Sequence, residues 1–132
     1  MCKRCDWATA NDLMKNYHDD EWGVPLHDDQ KLFEFLVLEG FQAGLSWQIV
    51  LNKREAFRKA FDDFNPKEVA KYDEKKLNKL VQNKAIIRNK MKIAATVKNS
   101  KRFHQVQKEF GSFDKDNWSF VNYKPIINTF NP

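Results

Sequence analysis

Cysteine, glycine and proline are scarce in this 132-residue chain, which holds only two, four and four of them. Two cysteines rule out the dense cross-linking of a small disulfide scaffold. So few glycines and prolines exclude a low-complexity or collagen-like polymer, and no internal repeat is visible. No segment approaches the run of about eighteen apolar residues that a membrane span needs. Basic residues near the start, in Met1-Cys2-Lys3-Arg4-Cys5-Asp6-Trp7, are followed by no apolar stretch, so the segment does not read as a signal peptide. The expectation is a cytoplasmic protein without a membrane partner, and a monomer.

One further absence is local. Residues 75–108 contain no Asp or Glu and carry eleven Lys or Arg, whereas residues 1–74 have a net charge of −5. A single-sign stretch of that length creates a field that a polyanion would feel, although a solvated lysine-rich helix face has the same composition.

Aromatic and apolar residues are plentiful, with eleven Phe and four Trp, so the chain can bury a core. The pattern is helical almost throughout, and no strand-like alternation persists. Asn11 or Asp12 caps a first segment that runs to about Trp22, where Gly23-Val24-Pro25 breaks it. Asp28 caps a second to about Gln42, with Leu32, Phe35, Leu36 and Glu39 on its expected inner face. Ser46 caps a third, with Ile49, Val50, Phe57 and Phe61 as its apolar positions. Asn65-Pro66 opens a short helix, Asp73 starts another to about Val81, and a long helix runs from about Arg88 towards Phe110, ended by Gly111. The long helix sets Ile93, Val97 and Phe103 on one side. Residues 1–122 read as one helical domain and residues 123–132 as an irregular tail.

Glu39 is the most informative position. A carboxylate on an apolar helix face must be paired, protonated or lining a cavity, because burying it unpaired is expensive. Trp7, Tyr17, Trp22, Phe41 and Trp47 all fall within the first 47 residues. Such a cluster is either plain core or a flat slot; an extruded nucleobase needs a slot of that kind, with a polar group to read its edge. The helices on either side of residues 82–87 read as a helix-hairpin-helix over about 73–109. Its connector amides, together with Lys84, Arg88, Asn89 and Lys90, are placed to hold DNA phosphates.

Several strings carry a resemblance. They are Arg4-Cys5-Asp6-Trp7, Tyr17-His18-Asp19-Asp20-Glu21-Trp22-Gly23-Val24-Pro25 and Leu38-Glu39-Gly40-Phe41-Gln42-Ala43-Gly44-Leu45-Ser46-Trp47. Lys53-Arg54-Glu55, Ile86-Ile87-Arg88-Asn89-Lys90 and Trp118-Ser119-Phe120-Val121-Asn122 follow in the same order. The chain thereby resembles the type I 3-methyladenine DNA glycosylases. The resemblance implies an all-α helix-hairpin-helix enzyme that removes 3-methyladenine from alkylated duplex DNA and leaves an abasic site. It implies that Glu39 acts on the flipped base, Glu39 and Tyr17 hydrogen-bond it, Trp47 stacks on it, and Trp7 and Trp22 shape the pocket. Cys5 and His18 match two of that family's four zinc ligands. The other two belong to a C-terminal segment of the family beyond Pro132, so zinc is expected only at an incomplete site, with Cys2 as a substitute ligand. The family has Gly where this chain has Ala85, and the resemblance implies weaker phosphate binding there. Two further readings stand beside the enzyme: a DNA-binding remnant with little activity, and a helical interaction module whose aromatics are only core.

Overall fold

The computed structural model describes residues 3–130, and these form eight α-helices with no strand among them. They are α1 (Asp12–Asp20), α2 (Asp29–Gln42), α3 (Trp47–Asn52), α4 (Arg54–Ala60), α5 (Pro66–Val69), α6 (Glu74–Val81), α7 (Lys90–Phe110) and α8 (Phe113–Ser119). Short 3-10 turns precede α1 at Asp6–Thr9 and follow α4 at Asp62–Phe64. None of the helices is long and apolar enough to cross a membrane.

Local chemistry sets most of the boundaries. Asn11, Asp28, Ser46, Asn65, Asp73 and Asn89 each accept a hydrogen bond from an amide in the first turn of the helix they precede. Each such cap stabilises its helix by about 1 kcal/mol. Gly111, at φ +88°, ends α7 in a conformation that costs a residue with a Cβ. The long helix starts two residues later than Arg88, because Asn89 is its cap and not its first turn.

The core lies between α2, α4, α5 and α7. Phe33, Phe41, Phe57, Phe61, Phe64 and Phe103 are all essentially inaccessible. Phe41 meets Phe57 at 4.8 Å between ring centroids, Phe33 meets Phe103 at 5.2 Å, and Phe61 stacks on Phe64 at 6.1 Å. Burying each ring contributes roughly 1.5–3 kcal/mol. Ile93, Val97 and Phe103 of α7 face this core, as their spacing predicts.

Three expectations need correction. The inner face of α2 is Phe33, Val37, Leu38 and Phe41, not Leu32, Phe35, Leu36 and Glu39; Leu36 is 45% exposed. The stretch from Leu32 to Phe41 is so apolar that two helix phases about 100° apart both look amphipathic. The phase that buries two phenylalanines and a leucine wins. The segment capped by Ser46 is two helices, broken at Lys53, and Ile49 is exposed. Finally, the sequence pattern does not foretell α8. Its anchors come from far away: Asp29 accepts from the amides of Phe113 and Asp114, and the Trp118 indole donates to the Leu26 carbonyl.

Candidate active site

The correction to α2 places Glu39 where its carboxylate is useful. With the core face occupied by Phe41 and its neighbours, Glu39 turns outward into a cleft of about 300 Å³. Trp7, Met14, Tyr17, Trp22, Gln42 and Trp47 line the rest of that cleft. All five expected base-pocket residues are therefore brought together, from the first 3-10 turn, α1, the turn after it, α2 and α3.

Glycine conformation shapes two of these walls. Gly23, at φ +73°, turns the chain directly after Trp22, and Gly44, at φ +77°, lets α2 reverse into α3 just before Trp47. Ser46 then caps α3 and fixes Trp47 at its first position. Tyr17 lies 5.3 Å from Trp47 between ring centroids, and Trp7 meets Trp22 edge-on at 5.2 Å. Trp22 and Trp7 are exposed, so their walls are solvent-facing surfaces and not filled core, whereas Trp47 also packs against the core. The indole Nε1 of Trp47 is buried with no protein acceptor among the described residues, although buried polar groups are as a rule paired. Burial, followed by the charges of Glu39 and Glu21, raises the Tyr17 phenol above its ordinary value, with Arg54 opposing. Tyr17 thus stays a neutral hydrogen-bonding group beside an acid.

The N-terminal turn carrying Trp7 is held against α1. Arg4 donates from Nε and Nη2 to Asp19, at distances down to 2.8 Å, and the Cys5 amide donates to His18 Nε2 at 3.4 Å. Hydrogen bonds from Arg4 and then from His18 lower the Asp19 carboxyl to about 2. His18 also stacks on Trp22 at 5.3 Å. Cys5 and His18 are thus close to one another, but both ring nitrogens of His18 already have protein partners, Nδ1 lying 2.9 Å from Asp19. No group of three or more His, Cys, Asp or Glu side chains that could hold a metal occurs among the described residues. Two donors do not fit a closed tetrahedral zinc centre. Cys2 lies outside the described residues.

A short connector joins α6 to α7, as expected of a helical hairpin, and several of its amides are bonded internally. The Ala85 amide donates to the Asn83 side chain, and the Ile86 and Asn89 amides bond within the loop, so these three amides already have partners. Ala85 is not among the residues with positive φ, so alanine is accommodated there without backbone strain. The Asn89 side-chain oxygen caps α7. Lys84, Arg88 and Lys90 are exposed and form no ion pair among the described residues, whereas Lys92 is used internally. Its Nζ donates to the carbonyls of Phe41 and Ala43 at 2.9 and 2.7 Å, closing the C-terminus of the helix that carries Glu39. Sequence reasoning missed Lys92, and also Arg54, which holds Glu21 and Glu34 behind the cleft; only a long-range fold could reveal either.

An outward carboxylate among three indoles and a phenol, on an all-α scaffold, defines a site for a flat, electron-poor ring. The family model described as methyladenine glycosylase matches residues 7–132. The chain is 47% identical to a DNA-3-methyladenine glycosylase of Haemophilus influenzae, over 97% of its own length and 69% of the relative's. It is 46% identical to DNA-3-methyladenine glycosylase 1 of Escherichia coli, over 95% of this chain and 67% of that protein. A crystal structure of a 3-methyladenine DNA glycosylase I variant in complex with 3-methyladenine superposes with a TM-score of 0.90. It is 37% identical, and the match covers 94% of this chain and 67% of that one. This chain belongs to the methyladenine glycosylase family.

Proposed function

We propose that this protein excises 3-methyladenine from alkylated duplex DNA by hydrolysis of the N-glycosidic bond. The single observation that carries the reading is the convergence of Glu39 with Trp7, Tyr17, Trp22 and Trp47 around one open cleft. Methylation at N3 puts positive charge on the adenine ring, which makes it a good leaving group. A flipped base of that kind stacks on indole faces and is attracted by the Glu39 carboxylate, through charge and cation–π contact. Tyr17 and Glu39 bond the edge of the base, and Trp47 supplies the principal stacking surface. Water adds at C1′ of the sugar and releases a proton to solvent, the C1′–N9 bond breaks with its electrons neutralising the cationic base, and an abasic site remains. No lysine nucleophile enters this scheme, so the DNA strand is left intact.

Affinity for the backbone comes from the acid-free stretch. Lys84, Arg88 and Lys90 are proposed as phosphate contacts, with Asn89 acting indirectly as the cap that aligns α7. The reading is tested by release of 3-methyladenine from alkylated duplex DNA, comparing the wild type with Glu39→Gln. Release by the wild type well above the uncatalysed rate, lost in the variant, supports it. Equal release by both at the uncatalysed rate refutes it.

A further inference from the structure

Four charged side chains lie behind the cleft and take no part in the chemistry above. The guanidinium of Arg54, at the start of α4, is largely covered, with 12% of its side chain exposed. Its Nη1 and Nη2 donate to the two carboxylate oxygens of Glu21, both at 2.7 Å. Its Nε donates to Glu34 at 2.6 Å, and its face lies 5.1 Å from the Phe35 ring centroid. Glu34, only 8% exposed, also accepts two bonds from Arg58, so it keeps a cation whatever happens to Arg54.

Both segments that Arg54 grips carry walls of the cleft. Glu21 directly precedes Trp22, whose amide bonds the Tyr17 carbonyl at 2.9 Å. Phe35 stands one turn before Glu39 on the same face of α2, and both line a second cavity of about 370 Å³ that shares Tyr17, Trp22 and Glu39 with the cleft and runs on to Gly23–Leu26. The titratable groups that line this second cavity with Glu39 are Tyr17, Asp20, Glu21 and Lys31. Burial opposes the charge of Arg54, yet the hydrogen bonds it donates to Glu21 and Glu34 more than offset it and hold the group above the ordinary arginine range. The fork-to-fork pairing fixes the Glu21 carboxylate in both charge and direction.

We infer that Arg54 is a positioning residue: by clamping Glu21 it leaves Glu39 as the free carboxylate that meets a cationic base, and pins the Trp22 wall to α2. The inference rests on the reading of the cleft as the base site, but its test does not need the reaction. Glu21 and Glu39 line the same adjoining cavity, so their carboxylates repel, and releasing Glu21 makes ionisation of Glu39 harder. Arg54→Lys, which keeps the charge and loses the bidentate fork, separates the clamp from mere loss of a cation: the clamp predicts a raised Glu39 midpoint there too, and an unmoved one contradicts it.

The test follows the side-chain carboxyl carbon of Glu39 by NMR against pH, in the wild type, Arg54→Met, Glu21→Gln and the double variant. The Glu39 midpoint is expected to rise by about one pH unit in Arg54→Met and to return to the wild-type position when Glu21→Gln is added. In Glu21→Gln alone, where Arg54 keeps Glu34 as its partner, the less balanced guanidinium should move the midpoint down. A midpoint unmoved in Arg54→Met, or unmoved in Glu21→Gln where Arg54→Met fails to fold, overturns the inference. Because no DNA is present, that failure is distinct from failure of the excision assay.

Discussion

The chain sorts its aromatic residues between two regions. In the core the rings are phenylalanines, six of them inaccessible, packed on one another with no polar atom to satisfy. Around the cleft they are tryptophans and a tyrosine, partly exposed and set beside a carboxylate. The difference is chemical. A phenyl ring gains only from burial, whereas an indole or phenol has an apolar face and a polar tip and suits a surface that a ligand will cover. The core rings therefore decide stability, and the cleft rings decide recognition.

Substitutions that act on one region and spare the other sharpen this division. The largest expected effect belongs to Phe61→Ala, which empties a buried ring site and should lower stability by about 3–5 kcal/mol in denaturant unfolding. Next is Glu39→Gln, expected to slow excision by on the order of 100-fold while the unfolding midpoint hardly moves. Trp22→Ala should weaken base binding by about 1–3 kcal/mol, read by calorimetric titration, with stability changed by less than the Phe61 substitution. If Trp22→Ala destabilised the fold as much as Phe61→Ala, the cleft aromatics would be core and the division would fail.

A smaller effect comes from Tyr72. Burial and then its hydrogen bond to Asp62 raise its phenol above the ordinary value of about 10. The neutral form is the one that the fold favours. Stability from this group is therefore complete below pH 10 and is lost as pH rises further, and Tyr72→Phe should flatten that alkaline decline in melting temperature. The smallest change is expected from replacing Lys84, Arg88 and Lys90 with alanine. It should leave folding intact and make the slope of log DNA affinity against log salt shallower, by about 0.9 for each phosphate no longer neutralised.

The sequence made the helices legible because their signals are local. A side chain such as Asp28 or Asn89 acts on an amide three residues away. The residues of the cleft were legible through the resemblance, and Glu39 also through the anomaly of an acid on an apolar helix. The direction in which Glu39 points was not legible, since the run from Leu32 to Phe41 supports two helix phases and tertiary packing chose between them. The clamp on Glu21 was hidden for a different reason. Glu21 and Arg54 stand in the strings that carry the resemblance, but nothing in the sequence pairs them with one another or with Glu34 until folding brings residues 20 to 33 positions apart to within 2.7 Å. The same holds for α8, whose docking depends on Asp29, more than eighty positions earlier. In the loop after α6 the place of the turn was legible, but not that Asn83 accepts from the amides of Ala85 and Ile86.

The most direct test of the account is a crystal structure of this protein with 3-methyladenine. The account expects the base in the cleft, stacked against Trp47, with its edge within hydrogen-bonding distance of Glu39 and Tyr17 and the core phenylalanines unmoved. A base seated elsewhere on the molecule, or a cleft left empty at concentrations that saturate binding in solution, would contradict it.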